Sequence, residues 1–392
     1  MTQREKQIYE ILRENPMISQ NEIAEKMGIT RSSVSVHINN LVNKGIILGR
    51  GYVLSDGERL MTIGAANLDM FGTVPRRQIE KASLSRNPIN EFESNVTFQY
   101  GGVAKNIADY AVRMGIGTSM VSVFGRDVIG KGILDECSQH NISTDLSIIL
   151  DNQSSSMYFE MLDESMKKGV TVSSVSIERR INVPYLESIR KSISTFSYLI
   201  ADDGLEKEAL RYLATGIDSG TEVYLFAFAD NRIDKYSEFM NSFAGVIFTP
   251  RSAIAAAGVS AIHLRNDGFQ DSEIIFVART LIGRGVKELV IPYNTDRICY
   301  ANNEGVWIGA RPIQGDYGSE RGKREAISAG LVYAKMFHFS TEDLLAYLLT
   351  LQDMAQRVTG IINSSVTPET LQMEKEANQG IMNIRRYDLG NK

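Results

Sequence analysis

The sequence has little of what would mark a secreted, membrane or repeat protein. Only two cysteines, Cys137 and Cys299, occur in 392 residues. They lie far apart without metal-ligand spacing, which fits a reducing cytoplasm and points to no metal centre. No apolar run approaches 18 residues, so no membrane span is expected. The first residues, Met1-Thr2-Gln3-Arg4-Glu5, are charged and lead into an amphipathic helix, unlike a secretory signal. Internal repeats and low-complexity segments are absent. A net charge of −5 carries no general affinity for nucleic acid. What remains is an ordinary globular composition, 43% hydrophobic and 23% charged, long enough for one large and one small domain.

Residues 1–56 read as the small domain. Ile8, Ile11 and Leu12 give a first helix one apolar face, ending at Asn15-Pro16. Ser19 and Glu22 have the spacing of a capping box for a second helix, which Gly28 ends. Thr30 is placed to cap a third helix from Arg31 to about Lys44, with Val34, Ile38, Leu41 and Val42 inward. Gly45 to Leu54 then reads as a β-hairpin turning at Gly49 to Gly51. This order resembles a winged helix-turn-helix. The outer, N-terminal side of the third helix carries Thr30, Arg31, Ser32, Ser33, Ser35 and His37. Small hydroxyls with one Arg suit close approach to a major groove, and Arg50 at the wing tip suits a phosphate or a minor groove. Residues 1–55 hold seven Lys and Arg against five Glu. So weak a positive balance implies double-stranded DNA bound by two copies, a homodimer.

From about residue 60 to 384 the pattern alternates between strand and helix, which indicates an α/β fold with a mostly parallel sheet. Leu60 to Asp69 reads as one buried strand with a polar tip, and Ser119 to Phe124 as another. Helices are expected over Gly130–Gln139, Lys207–Thr215 and Ser272–Gly283, and a hairpin over Arg297–Gly309. Further on, Ala326, Ile327, Ala329, Leu331, Val332 and Ala334 fall at helical spacing behind a loop rich in glycine and charge, Gly315 to Lys323. Such a loop, feeding bare amides into a helix start, is a ready anion site, and Glu325 stands one turn in as a candidate general base.

Several of these stretches together resemble the ribokinase-like (PfkB) carbohydrate kinases, closest to pseudouridine and sugar kinases. Asn67-Leu68-Asp69 matches the family's N-x-D, and Gly101-Gly102-Val103-Ala104-Lys105-Asn106 its G-G-x-x-x-N. Val123 to Gly130 matches V-G-x-D-x-x-G, and the pieces at about 70–100 and 156–178 correspond to its β lid. The resemblance implies a ribokinase-like sheet with a lid. It also implies a sugar or nucleoside held by Asn67, Asp69, Gly101, Gly102 and Asn106. Independently of any family, glycines let a backbone approach a ligand, and Asp69 with Asn106 supplies the acceptors and donors that a polyol needs.

The nucleotide half departs from the family pattern. P-N-x-x-E reads Pro250-Arg251-Ser252-Ala253-Ile254, T-x-G-x-x-G reads Pro292 to Arg297, and G-A-G-D reads Gly322-Lys323-Arg324-Glu325. A misplaced base costs about 10² in rate, and a lost anion-hole donor about 10²–10³. The sequence therefore leads to a cytoplasmic DNA-binding transcriptional regulator with a pseudokinase domain that senses a sugar, a nucleoside or their phosphate, and no cofactor is expected. Arg251, Gly322, Lys323 and Arg324 form the expected anion site for a phosphorylated effector. The rivals are an active kinase using ATP and Mg with Glu325 as base, and a dimerisation scaffold without ligand.

Overall fold

Three helices open the chain, Gln3–Glu14, Gln20–Met27 and Arg31–Asn43, packed around Ile8, Leu12, Ile23, Val34, Ile38 and Leu41. The third begins where Thr30 Oγ accepts the Ser33 amide at 3.2 Å, the N-cap expected from the sequence. The computed structural model describes residues 1–14, 18, 20–44, 46–47, 59–75, 95–163, 169–174, 176–218, 220–259, 268–313, 321–378 and 380–390. The Ser19 cap, the Gly45 stop, the wing hairpin with Arg50, part of the lid insert and the loop Gly315 to Glu320 lie outside the described residues.

The strands are β1 (Arg59–Ile63), β2 (Asn67–Val74), β3 (Val96–Gly101), β4 (Gly117–Val121), β5 (Val123–Gly125), β6 (Ile148–Leu150), β7 (Met157–Asp163) and β8 (Gly169–Ser174). They continue with β9 (Tyr198–Asp202), β10 (Glu222–Ala227), β11 (Gly245–Phe248), β12 (Glu288–Tyr293), β13 (Arg297–Asn302), β14 (Gly305–Ala310) and β15 (Asn383–Tyr387). Nine of them form one sheet in the order β15-β14-β13-β12-β11-β10-β9-β1-β4. It is parallel from β4 to β12 and antiparallel from β12 to β15.

Alternation along each strand feeds a core on both faces. Met61, Ile63, Leu199 and Ala201 pack with the helices Lys207–Thr215, Pro250–Ala257 and Asp271–Gly283. Leu60, Tyr198 and Ile200 pack with Val103–Arg113, Lys323–Met336 and Thr341–Gln356.

The segment expected to be one strand from Leu60 to Asp69 is two. At Gly64 (φ 152°) the chain leaves the large sheet, and a Cβ there would lie 2.3 Å from Asp202 Cβ. After Ala66 it enters β2, the middle of a second sheet ordered β3-β2-β7-β8, which is the lid. The expected strand Ser119 to Phe124 also divides, because β5 turns to pair with β6.

Candidate ligand-binding site

Parallel strands place their carboxyl ends on one edge, and ligands of such sheets gather there. A cavity of about 330 Å³ lies at that edge, beneath the lid and beside the start of helix Lys323–Met336. β2 contributes Asn67 and Asp69, two residues apart and so on one face. The Asn67 side-chain amide donates to Asp69 Oδ1. Burial pushes the Asp69 carboxyl up to about 7; the nearby Glu325 charge adds to this, and the Asn67 hydrogen bond opposes it.

Gly101 and Gly102 serve these side chains. A Cβ on Gly101 would lie 1.9 Å from Asp69 Oδ2, and one on Gly102 (φ 98°) would lie 2.6 Å from Asn67 Oδ1. The sequence reading assigned the glycines to close approach of a ligand. Their bareness instead admits the two polar side chains that line the cavity, and Gly102 alone of the pair belongs to its wall. Asn106, in the first turn of the helix that Gly102 starts, also lines it.

Helix Lys323–Met336 begins at Gly322 (φ 77°) with no side-chain cap, so its first-turn amides carry the helix dipole unshielded by a capping side chain. Glu325 lines the cavity, and burial pushes its carboxyl upward against the attraction of Arg324. Among the described residues, Glu325 Oε2, Asn106 Oδ1 and Arg324 Nε are buried without a hydrogen-bond partner.

The expected anion cluster does not assemble as a group. Gly322 and Arg324 line the cavity, and the Arg324 guanidinium lies 4.7 Å over the Phe228 ring. Lys323 turns elsewhere: its Nζ donates to the Asn294 carbonyl at 3.1 Å and lies 3.5 Å from Gln356 Oε1. Adjacent helical residues point about 100° apart, and here the two cations take different partners. Arg251 is exposed and forms no part of the cavity wall. A cation not anticipated, Arg321, lies 3.8 Å over the Phe71 ring and pairs with Glu160 of the lid. Asp202 and Glu178 also line the cavity and were likewise missed. The run Asp202-Asp203-Gly204 after an apolar strand was a readable signal; Glu178, on the far side of the lid in sequence, gave none.

The residues at the positions of the family's nucleotide motifs differ from that pattern in chemical kind. Ile254, where the resemblance wants a metal-organising Glu, packs against the core. The stretch in place of a glycine loop is held by hydrogen bonds of its own side chains and borders a cavity of about 380 Å³. Tyr293 and Arg297 both donate to Asp271, the latter at 2.9 and 2.8 Å, and Asn294 exchanges two bonds with the Phe269 backbone. Gln352 and Gln356 donate to the Thr295 carbonyl at 2.7 and 3.0 Å.

One trio with metal-ligand potential occurs among the described residues: Asp109, Glu136 and His140. The buried ammonium of Lys105 already lies 2.7 Å from both Asp109 and Glu136. No described helix is long and apolar enough to cross a membrane.

On the reading helix, Thr30, Arg31 and Ser32 are exposed, while Ser33, Ser35 and His37 are half-buried. Thr30 Oγ lies 2.9 Å from the hydroxyls of both Ser32 and Ser33, so these three hold the helix start, and Arg31 projects beside them.

Residues 1–47 match the winged helix-turn-helix DNA-binding family, and residues 58–189 match the pfkB family of carbohydrate kinases. The uncharacterized sugar kinase YeiI of Escherichia coli is 26% identical over 380 residues, spanning 93% of this chain and 96% of that protein. The pseudouridine kinase of the same organism is 24% identical over 71% of this chain and 84% of its own length. Among solved structures, Arabidopsis thaliana ribokinase complexed with ribose and ATP superposes with a TM-score of 0.66 at 13% identity, covering 82% of this chain and 99% of that one.

Proposed function

The chain joins a winged helix-turn-helix DNA-binding domain to a ribokinase-like, pfkB-type carbohydrate kinase domain, and from that premise we propose that it is a cytoplasmic transcriptional regulator whose kinase-like domain senses a sugar, a nucleoside or their phosphate. The observation that carries this reading is a division within one domain. The sugar side keeps a prepared polar cavity, with Asn67 bonded to Asp69 and unpartnered atoms on Asn106 and Glu325. On the nucleotide side, Lys323, Arg297 and Gln356 are tied to neighbouring protein groups, and a cavity of about 380 Å³ lies beside Asp271, Asn294 and Arg297 without the family's glycines or metal-organising Glu. Binding without transfer is what such a site supports.

The effect on DNA follows if ligand favours one lid position over another, since a ligand shifts an equilibrium only by its differential affinity. Exposed Phe98, Val170 and Val172 on the lid offer an apolar surface through which two copies would pair and space their reading helices. The test is binding of full-length protein to promoter DNA from its own locus, with and without candidate ligands. Sequence-selective binding that changes with ligand is expected. Indifference to that DNA defeats the regulator reading, and DNA binding that no sugar or nucleoside alters leaves a plain dimerising repressor.

One observation favours a second reading, an active kinase: Glu325 reaches the cavity beside helix amides that no side chain caps. Assay with ATP and Mg on ribose, fructose and pseudouridine separates the two. We expect no turnover; a rate near 1 s⁻¹, roughly the low end for kinases, would establish the enzyme.

A further inference from the structure

The cavity wall holds a further buried carboxyl, that of Glu178. Glu178 lies in the short 3-10 helix Ser176–Arg180, where the chain leaves the lid, and is 6% exposed in the cavity wall. Its Oε1 accepts the Ser156 hydroxyl at 2.6 Å, while its Oε2 has no partner among the described residues. Asp202 and Arg232 are the charges nearest in effect to Glu178, and Glu325, Lys105 and Arg321 those nearest in effect to Asp69. Arg232 does not satisfy Glu178, because it is paired with Asp203 at 2.8 Å. A buried carboxylate oxygen lacking a donor is costly unless something else brings one.

The wall also holds aromatic rings, Phe71 and Tyr158 from the lid and Phe228 from the sheet edge, with Arg321 over the first and Arg324 over the last. The volume, about 330 Å³, is that of a small-molecule site and exceeds what one pentose fills.

We propose that the ligand is a nucleoside and that Glu178 reads its base, accepting one ring N–H at Oε2 while the ribose hydroxyls meet Asn67, Asp69 and Asn106. This rests on the sugar-pocket reading above and adds the base and its selector. Ser156 donates to Oε1, which leaves Oε2 for the base; burial pushes this carboxyl up to about 7, and its ionised form accepts the ring N–H of uracil or hypoxanthine.

The experiment titrates the full chain with ribose, uridine, inosine, N3-methyluridine and N1-methylinosine. Uridine or inosine should bind at least about 100-fold more tightly than its methylated partner, as expected where a buried polar group is left unpaired. Glu178→Ala should bring that ratio close to one. A ratio near one in the wild-type chain, or one that Glu178→Ala does not alter, overturns the assignment of Glu178, and so does ribose binding as tightly as both nucleosides. The wild-type ratio decides the matter even if the variant does not fold. If neither ribose nor any nucleoside binds, the sugar-pocket reading itself falls, a result distinct from ribose binding without base selection.

Discussion

Lys323 and Arg324 are neighbours in the chain, yet one ammonium reaches the Asn294 carbonyl at 3.1 Å and the other cation lies 4.7 Å over the Phe228 ring. The first braces the nucleotide side of the domain; the second faces the cavity. Lys323→Ala should therefore lower stability by about 1–3 kcal/mol, the usual penalty for removing a buried hydrogen-bonding partner, and leave ligand affinity unchanged. Arg324→Ala should do the reverse, weakening a phosphorylated ligand about tenfold or more relative to its unphosphorylated match. Thermal melts with matched ligand pairs check both. Loss of phosphate binding in Lys323→Ala would contradict the geometry.

Asp69 gives a pH signature. Its carboxyl titrates near 7 in the fold against an ordinary 3.8 when unfolded, so the folded state holds the proton more tightly. Its contribution to stability is fully present below pH 3.8 and is lost as pH rises through about 7, with a slope on the order of 1 kcal/mol per pH unit between. Asp69→Asn should flatten that part of the stability profile and abolish ligand binding. Chemical denaturation from pH 4 to 8 on both proteins measures it; parallel profiles would refute the assignment.

Gly101→Ala tests whether the glycine serves Asp69. The new methyl group would overlap Asp69 Oδ2, so the carboxylate must swing away. We expect a stability loss of about 1–3 kcal/mol from overpacking, with ligand affinity falling about tenfold or more. Unchanged affinity, read by titration calorimetry, would show that Asp69 does not hold the ligand.

For DNA, Arg31→Ala should cost about 1–3 kcal/mol on the preferred operator and little on random sequence. Thr30→Ala should remove a helix cap, lowering domain stability by about 1 kcal/mol. Arg50→Ala should weaken all sequences alike and flatten the salt dependence. Electrophoretic titrations across salt concentrations distinguish the three.

The sequence made much of this architecture legible. Period-two and period-3.6 patterns located the helix Lys207–Thr215 to the residue and the hairpin of β13 and β14. The break between β1 and β2 was hidden because Gly64-Ala65-Ala66 is as apolar as the strands it separates. What bends the chain there is the Asp202 side chain, distant in sequence. The helix Thr341–Gln356 also escaped notice, since burial of most of its length erases the polar stripe that periodicity needs. At the site, Asn67 and Asp69 were picked out by their resemblance to the family's N-x-D motif. The direction of Lys323, the reach of Arg321 to Glu160 and the orphan oxygen of Glu178 depend on tertiary neighbours and have no local signature.

The room left by Gly101 and Gly102 also bears on the entropy of binding. Asp69 and Asn67 are already confined to one arrangement by the backbone against which they lie and by their mutual bond. Freezing a side chain at an interface costs about 0.5–1.5 kcal/mol, and here folding has met that cost before any ligand arrives. On the sensor reading proposed above, more of a small ligand's contact energy is then left for binding.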